Sequence, residues 1–574
     1  MDRVAPAPPV RCVPALRGRG GAAWLLAVAL ALAAPTSAQP AAAEGAGRPT
    51  PEGRGAQRPN VVVVMADDMG YSDLGVTGGE IETPHLDALA REGLLFERFY
   101  NMGRCFPTRA SLLTGLAPHQ AGVGGGVKSV GVPDQPGPYQ GYLNDRSVTI
   151  AEALAPAGYR SYLSGKWHVG EDRGRWPLDR GFDAYFGLIS GASSYWEIIT
   201  EQPRVRQMAY MGEPWTPPAT GFYMTDAIAD TAAAFVERHA AEHAGAPFFL
   251  YVAFTAPHWP LHAPEATVQR YAGRYDAGWD AVRDARLARL REAGLVPPGA
   301  AVPGRPAGVP TWDDVPAAER ADWTRRMEVY AAMMDKMDQG VGRVLDALDR
   351  TGQRENTVVL FLSDNGAAAE DVSGRGLHDP SVPIGWLGSY DAYREPWAWV
   401  SATPFRRYKA TAYEGGIATP LVVSWPAGLA APGRRTGSAG SVVDLLPTVL
   451  DLAGAPYPGT HGGRPIMPAA GVSLAPVFAD PEWERGGPLF SETFGARAVR
   501  DGRWKAVYDT ADERWRLFDL ATDPFETADV LPAHGARAVD MVDRWYRWAD
   551  GVGVLPDLRE GQPIPGPPAA PADL

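Results

Sequence analysis

The chain has 574 residues, of which 45% are hydrophobic and 21% are charged. This composition is typical of a globular protein with one large domain or two unequal ones, and it excludes a disordered or fibrous chain. The formal net charge of -13 disfavours nonspecific attraction to nucleic acid or anionic membranes, although a local group of cationic side chains still holds a small anion. We therefore expect no nucleic-acid partner and keep a small anionic substrate open.

The first residues of the chain predict an export signal. Several arginines precede an apolar run over residues 22–34, and small residues follow it up to Ala38. This order is typical of a secretory signal peptide, and the run is shorter than the ~20 residues of a membrane-spanning helix. We expect a signal peptide over residues 1–38, a flexible linker over 39–58, and a periplasmic or secreted protein without stable membrane insertion after cleavage.

Cleavage would leave Cys105 as the single cysteine, because Cys12 lies in the predicted signal peptide. No internal disulfide could then form, even in an oxidising compartment. One interpretation is a buried, inert cysteine. The alternative is a residue with a specific chemical role, since an unpaired cysteine in an exported protein requires an explanation.

Three apolar runs predict strands of a parallel sheet that is buried on both faces. They cover residues 60–66, 247–254 and 357–363, and they are followed by Asp67-Asp68, Pro257-His258 and Asp364-Asn365. Helical patterns lie between them, at residues 83–92, 110–115, 148–157, 225–241 and 321–350. Strands that alternate with helices indicate an open α/β sheet, whose ligands collect beyond the carboxyl ends of the strands.

The pattern changes near Ala453, after which shorter strand-like pieces precede a helix over residues 534–550. We therefore predict an α/β domain over residues 59–455, with a mostly parallel central sheet flanked by helices and an insertion at about 262–316. Residues 456–574 are predicted to form a small C-terminal subdomain with an antiparallel sheet, a helix and a loose tail.

Four polar side chains at two strand ends are candidate metal ligands. If the strands are neighbours, Asp67, Asp68, Asp364 and Asn365 form a cluster made only of oxygen ligands, which suits calcium or magnesium rather than zinc. The alternative is that these residues simply begin turns and cap helices.

Cys105 directly precedes a predicted helix start at residues 108–113. Free backbone N–H groups and the helix dipole favour negative charge there. Pro107 fits a first helical turn without losing a hydrogen bond, and Arg109 offers a planar fork of donors that suits a tetrahedral oxyanion.

The run Cys105-Phe106-Pro107-Thr108-Arg109, followed by Ala-Ser-Leu-Leu-Thr-Gly, resembles the signature of the formylglycine-dependent sulfatases. The resemblance covers most of the chain after Pro59 and is greatest to bacterial arylsulfatases. Phe106 departs from the family, which usually has a small residue there. Companion motifs appear in the family's order: residues 59–70, Gly165-Lys166-Trp167-His168, Pro257-His258, residues 363–366, and Lys409 with Glu414-Gly415-Gly416.

The resemblance implies an alkaline phosphatase-like fold and a formylglycine that a formylglycine-generating enzyme makes from Cys105 before folding. In the family the aldehyde hydrate has two hydroxyls, of which one attacks sulfur and the other later loses its proton so that sulfate is expelled. The resemblance also implies one Ca²⁺ per chain, held by Asp67, Asp68, Asp364, Asn365 and residue 105.

By the same resemblance, Lys166, Arg109 and Lys409 bind the sulfate and the charge that develops on it. His168 would take the proton from the second hydroxyl, and His258 would act with Lys409 on the leaving oxygen. A structural role is the alternative for either histidine considered alone.

The sequence therefore predicts a sulfuric ester hydrolase, similar to arylsulfatases, that cleaves a small-molecule sulfate monoester to an alcohol or phenol and inorganic sulfate. The class of ester, whether phenolic, carbohydrate or steroid, stays open. Two alternatives remain at this point. One is a phosphonate or phosphate ester hydrolase of the same superfamily, and the other is a catalytically silent exported binding protein in which Cys105 stays a thiol.

Overall fold

The computed structural model describes residues 58–130, 137–199 and 205–554. The predicted signal peptide, nearly all of the predicted linker and the end of the predicted tail lie outside the described residues. Among the described helices, none has the length and apolar character needed to cross a bilayer.

Sixteen strands form three sheets in the described part of the chain. The strands are β1 Asn60–Ala66, β2 Leu94–Tyr100, β3 Arg160–Gly165, β4 Ala184–Leu188, β5 Met208–Tyr210, β6 Glu213–Trp215, β7 Phe248–Ala253, β8 Thr357–Ser363, β9 Ala418–Ser424, β10 Arg434–Ser441, β11 Thr460–His461, β12 Arg464–Pro465, β13 Leu489–Thr493, β14 Ala496–Asp501, β15 Trp504–Asp509 and β16 Arg514–Asp519.

Twelve α-helices accompany the described strands. The helices are α1 Pro84–Glu92, α2 Cys105–Thr114, α3 Ile150–Leu154, α4 Met224–Glu242, α5 Glu265–Val268, α6 Gly278–Glu292, α7 Ala317–Arg350, α8 Arg394–Ser401, α9 Glu414–Ile417, α10 Leu445–Leu452, α11 Ala475–Ala479 and α12 Gly535–Val552.

The large sheet has ten strands in the order β10-β2-β9-β8-β1-β7-β3-β4-β5-β6. Strands β8, β1, β7, β3 and β4 are parallel to one another. At the two sides of this block, β9 is antiparallel to both β8 and β2, and β5 is antiparallel to β4. The predicted α/β class is confirmed, and the three apolar runs are the adjacent central strands β8, β1 and β7. Their carboxyl ends therefore meet at one edge of the sheet.

Helices cover both faces of this sheet, so its central strands are apolar throughout. On β1, Val62 and Val64 pack into one core together with residues of α1, α4 and α7. Val61 and Val63 face the other core, to which α2, α3 and α10 contribute. Alternate residues of one strand thus fill both layers, which leaves the strand ends as the places where polar side chains gather.

The four strands β13 to β16 form the smaller antiparallel sheet that was predicted. Helix α12 packs on one face of it, where Trp545 and Met541 contact a core that includes Val499 and Leu517. Strands β14 and β15 form a hairpin, whose turn contains Gly502 at a φ of 56°. A positive φ is a conformation that glycine adopts without strain.

Several predicted helices have different bounds in the structure, and two of the differences affect the local description. Helix α2 begins at Cys105 rather than at Thr108, because Arg104 is extended (φ -151°, ψ 162°) and the helical conformation starts directly after it. The helix predicted over 148–157 is the short α3 followed by a 3-10 turn over residues 155–157. The earlier start of α2 places Cys105 inside its first turn.

Candidate active site

Most of the predicted site residues lie together near the carboxyl ends of β1, β3, β7 and β8, where Arg109 of α2 and Lys409 of a loop also reach. The N–H of Asp364 donates to the carbonyl oxygen of Ala66 at 3.1 Å, which ties the end of β8 to the end of β1. The N–H of Lys166, directly after β3, donates to the carbonyl oxygen of Ala253 at 2.7 Å. Hydrogen bonding of the sheet therefore continues into the turns that hold the functional side chains.

Carboxylate and amide groups form the centre of this site. Asn365 Nδ2 donates to Asp68 Oδ1 at 2.7 Å, and the N–H of Asp68 lies 3.3 Å from Asp364 Oδ1. The ligand atoms of Asp67, Cys105 and Asp364 all lie within 4.8 Å of one another. These side chains are almost completely buried, so water cannot satisfy them individually.

The donor set fits a hard cation. Asp67 Oδ1 and Asn365 Oδ1 are buried and have no hydrogen-bond partner among the described residues. Buried polar atoms without partners are rare in native proteins, and several oxygens of this kind in one place are what Ca²⁺ or Mg²⁺ requires. His258 also lies within 4.8 Å of the Asp67 and Asp68 ligand atoms, although a nitrogen ligand is unusual for such an ion.

Three cations surround the carboxylates. Lys166 Nζ lies 2.6 Å from Asp67 Oδ2, and Lys409 Nζ lies 2.7 Å from Asp68 Oδ1. Arg109 donates twice to Asp364 Oδ2, from Nε at 3.1 Å and from Nη2 at 2.7 Å. Each predicted cation is thus fixed in place by one of the predicted carboxylates.

Burial controls the protonation of this site. It raises the pKa of Asp67 well above its ordinary value, and neighbouring Asp364 raises it further. Burial also raises the pKa of the Cys105 thiol, although Lys166 and Lys409 act in the opposite direction. Because only the thiolate is a good nucleophile, unmodified Cys105 is poorly suited to attack an ester.

The two predicted histidines occupy different positions. His258 Nδ1 donates to the carbonyl oxygen of Trp259 at 2.6 Å, and Nε2 lies 3.4 Å from Asp68 Oδ2. Burial, together with Lys409, lowers the pKa of His258 well below its ordinary value. His168 instead packs edge-on against Phe106, with ring centroids 5.9 Å apart. Phe106 thus forms part of the wall beside His168.

Two of the predicted site residues have a strained backbone conformation. Asp68 has a φ of 73° and His168 has a φ of 54°, a region that non-glycine residues rarely adopt. Such conformations persist only where the surrounding structure enforces them, and they cluster at functional sites.

Three residues that the sequence did not indicate support the site. Glu370 Oε2 accepts from Trp259 Nε1 at 2.9 Å, and its Oε1 lies 3.5 Å from Lys409 Nζ. Tyr251 accepts from Arg109 Nη1 at 3.4 Å, and Tyr195 donates to the carbonyl oxygen of His258 at 2.9 Å. Glu370 follows Asp364 in the same loop, and this proximity in sequence was the one indication that Glu370 belongs to the site.

Glycines bring two loops of the site into backbone contact. A Cβ atom at Gly366 would lie 1.9 Å from the carbonyl oxygen of Gly415, and one at Gly415 would lie 2.2 Å from that of Arg407. The N–H of Gly366 donates to the carbonyl oxygen of Gly416 at 3.0 Å. The loop that contains Lys409 is therefore held against the end of β8 without intervening side chains.

Glu414, beside these glycines, belongs to a second buried charged group that we call the Glu414–Lys505–Glu526 cluster. Lys505 Nζ lies 2.6 Å from Glu414 Oε1 and 2.8 Å from Glu526 Oε1. Tyr100 donates to Glu414 Oε2 at 2.9 Å, and the N–H of Glu414 donates to Glu526 Oε2 at 2.8 Å. This cluster connects the smaller sheet to the loop that contains Lys409.

Comparisons with known proteins agree with this arrangement. The family model for sulfatases matches residues 59–455, and the model for the C-terminal part of N-sulphoglucosamine sulphohydrolase matches residues 406–542. The chain is 33% identical over 543 residues to an uncharacterized sulfatase of Schizosaccharomyces pombe, covering 87% of this chain and 95% of that protein. It is 34% identical over 438 residues to an arylsulfatase of Klebsiella aerogenes, with 73% and 92% covered.

Among solved structures, that of Ps i-CgsB in complex with k-i-k-neocarrahexaose has a TM-score of 0.64 to this chain at 25% sequence identity. The match covers 86% of this chain and 93% of that chain. The family model, the relatives and the shared fold lead to one conclusion. The chain belongs to the sulfatase family and is a sulfuric ester hydrolase.

Proposed function

We propose that this sulfatase hydrolyses a sulfate monoester with a formylglycine, made from Cys105, as its nucleophile. The supporting observation is the position of Cys105 in the first turn of α2, with its sulfur within 4.8 Å of the ligand atoms of Asp67 and Asp364. A buried thiol with a raised pKa is a weak nucleophile. A hydrated aldehyde at this position supplies one hydroxyl for attack on sulfur and a second one through which sulfate is expelled.

We propose further that a formylglycine-generating enzyme modifies Cys105 before the chain folds. The Cys105 side chain is only 7% exposed in the folded protein, so a modifying enzyme has little access to it afterwards. We also propose that the chain is exported as a periplasmic or secreted protein after cleavage near Ala38. This proposal rests on the N-terminal sequence pattern.

One Ca²⁺ is the proposed metal, held by Asp67, Asp68, Asp364, Asn365 and residue 105. The two buried oxygens without partners support it, as does the hardness of the ligands. When bound, such an ion lowers the pKa of the attacking hydroxyl and offsets the charge of a sulfate oxygen.

The protein's own side chains divide the remaining work. Lys166 and Lys409 place two positive charges beside the oxygen cluster, where they attract the sulfate group and stabilise the charge that develops on it. Arg109 is already engaged by Asp364, so it orients that carboxylate as well as adding positive charge. His168 takes the proton from the second hydroxyl.

His258 and Lys409 act on the leaving oxygen. Because Nδ1 of His258 donates to Trp259, Nε2 is the atom that faces the departing oxygen. Burial keeps the pKa of His258 well below its ordinary value, so the neutral ring orients the leaving oxygen and the Lys409 ammonium supplies the proton. We also propose that the catalytic domain covers residues 59–455 and that residues 456–574 form the smaller subdomain. Because one relative is an arylsulfatase, an aryl sulfate is the first substrate to test.

Mass analysis of the peptide that contains residue 105 tests the nucleophile. We expect natively produced protein to carry an aldehyde there, with sulfur lost and oxygen gained, and Cys105→Ala serves as the negative control for aldehyde-specific labelling. An unmodified thiol in active protein would contradict the proposal.

Comparison of 4-nitrophenyl sulfate with 4-nitrophenyl phosphate tests the reaction. We expect a large preference for the sulfate ester, and a preference for the phosphorus ester would favour the phosphoesterase alternative. Metal analysis of the same preparation is expected to find calcium, and zinc or manganese at full occupancy would exclude the calcium assignment.

A further inference from the structure

Arg500 is a buried cation with two unused donor atoms. It lies on β14, its side chain is 7% exposed, and its guanidinium stacks over the Tyr100 ring at 5.1 Å from the ring centroid. Nε and Nη1 of Arg500 have no hydrogen-bond acceptor among the described residues. A buried charged donor without an acceptor is costly, and native proteins rarely retain one without a ligand or ordered water.

Most other deeply buried arginines of the described residues have acceptors. Arg109 pairs with Asp364, and Arg286 pairs with Asp73 and Glu80. Arg283 pairs with no carboxylate, but it donates to the oxygens of Trp399, Thr403 and Pro303. Arg497, also on β14, is the exception, since its Nε has no acceptor among the described residues and its Nη1 makes one hydrogen bond of 3.5 Å with Tyr546 Oη. Arg500 is therefore unusual, although not alone, among the buried arginines.

A cavity of about 230 Å³ adjoins Arg500 where β13 and β14 meet β2 and β10. This volume exceeds the space that a single water molecule needs. Three further arginines line the cavity: Arg98, Arg485 and Arg503. Arg98, on β2, is partly buried, and no hydrogen bond or ion pair joins it to a described residue.

The charges of the cavity wall sum to a positive value. Arg485 is held by Asp444 at 2.8 and 3.0 Å, and Arg503 pairs with Asp519. The remaining charged residues of the described lining are Arg98, Arg500 and the acidic Glu484. Arg98 and Arg500 make no ion pair among the described residues, although they act at longer range on the carboxyls of Glu97 and Glu414. The cavity wall itself therefore has more positive than negative charge, on a protein whose net charge is -13.

We propose that this cavity binds a tetrahedral oxyanion, either free as inorganic sulfate or phosphate or attached as the sulfate group of a saccharide. Guanidinium groups match the oxygen geometry of such anions, and hydrogen bonds to an ionised acceptor are the strong ones. The anion would accept hydrogen bonds from Nε and Nη1 of Arg500 and would be attracted by the positive charge of Arg98. None of the lining residues belongs to the candidate active site, so this is a separate site.

Crystals soaked in selenate locate the anion directly, because selenium scatters anomalously. We expect an anomalous peak within hydrogen-bonding distance of Arg500 Nε and Nη1, in addition to any peak at the active site. A parallel soak in bromide is the control for a general halide site. Water alone beside Arg500, or bromide in place of selenate, would overturn the proposal.

Binding of radiolabelled sulfate to the full-length protein tests the site in solution. We expect Arg98→Gln and Arg500→Gln to weaken one class of sulfate site by about tenfold or more, the expected result of losing a hydrogen bond to a charged group. Hydrolysis of 4-nitrophenyl sulfate should remain at the wild-type rate. Arg98→Gln is informative even if Arg500→Gln fails to fold, because Arg98 is only partly buried.

The matched control is Arg544→Gln, since Arg544 lies on α12 and already pairs with Asp501 and Asp540. A sulfated monosaccharide, tested in the Cys105→Ala background to prevent turnover, separates attached from free sulfate. The proposal is supported if Arg98→Gln weakens the binding of free sulfate or of the sulfated monosaccharide. Unchanged sulfate binding in Arg98→Gln would overturn it.

Discussion

The active-site carboxylates and the Glu414–Lys505–Glu526 cluster are both buried, and each contains a lysine 2.6 Å from a carboxylate. They differ in what is left over. At the active site two oxygens, Asp67 Oδ1 and Asn365 Oδ1, have no hydrogen-bond partner among the described residues. In the second cluster both oxygens of Glu414 accept hydrogen bonds, and Glu526 Oε1, which has no hydrogen-bond partner, lies 2.8 Å from Lys505 Nζ. Burial and ion-pair distance therefore do not separate a reactive site from a structural one, whereas several unpartnered oxygens in one place distinguish the active site.

The difference between the active site and the Glu414–Lys505–Glu526 cluster depends most on residue 105 being the nucleophile. We expect Cys105→Ala to lower the rate of 4-nitrophenyl sulfate hydrolysis by at least about 10⁴-fold, as loss of a nucleophile does in other enzymes. The midpoint of thermal unfolding should change by less than about 4 °C, because a small side chain is replaced by another. A variant that keeps a tenth of the wild-type rate would contradict this interpretation.

Lys505→Met should lower the stability of the protein rather than its catalytic rate. The substitution leaves Glu414 and Glu526 buried beside each other without their cation, a change that costs about 3–5 kcal/mol when a buried pair is broken. Urea unfolding measures this cost, and the folded variant should keep its kcat. Lys336→Met is the control, since Lys336 on α7 pairs with Asp226 on α4 and its loss should have a smaller effect. A large loss of kcat without a loss of stability would make the second cluster catalytic.

Lys409→Ala is the counterpart of that experiment. We expect kcat/KM to fall by about 10²–10³-fold, the usual result of removing one donor that stabilises transition-state charge. Stability should change less than in Lys505→Met, because Asp68 keeps its hydrogen bond from Asn365. Steady-state kinetics and urea unfolding of the two variants, measured side by side, give opposite patterns if the comparison holds.

The smallest expected effect is a pH dependence in the second cluster. Burial, reinforced by Glu414 and opposed by Lys505, raises the pKa of Glu526 to about 7. Between the ordinary carboxyl pKa of about 4.3 and pH 7, the folded state holds a proton that the unfolded state has lost, so stability falls as the pH rises. Glu526→Gln removes this dependence.

We therefore expect the stability of the wild type relative to Glu526→Gln to fall by about 1–3 kcal/mol between pH 5 and pH 8. Urea unfolding at the two pH values measures the difference. Glu237→Gln, which alters an exposed pair with Arg350, is the control. A relative stability that rises with pH would contradict the assigned direction.

Much of the large sheet could be predicted because its central strands are continuous apolar runs. Strands β2 and β10 gave weaker signals, since Glu97 and Arg98 interrupt the apolar pattern of β2, and β10 consists of Arg, Thr, Gly, Ser and Ala. Their pairing joins residues that are far apart in the chain, and local pattern does not encode that choice of partner. Strand existence was thus easier to predict than strand order.

The predicted site residues lie together because their motifs follow strand ends, and strand ends are visible in the sequence. Their individual roles stay predictions. Lys505 and Glu526 gave no such signal, since single charged residues in a strand and a turn ordinarily face solvent. They are buried only because the smaller sheet docks on the loop beside Glu414. The start of α2 at Cys105 was missed because no side chain caps that helix.

The contact between Gly366 and Gly415 has a consequence for laboratory evolution of this enzyme. Main chain touches main chain there, so any side chain at either position would push the Lys409 loop away from the end of β8. Libraries that aim at new ester substrates should therefore keep these two positions constant. Variation is better placed on the outer loops, where residues can change size without altering the spacing between lysine and carboxylates.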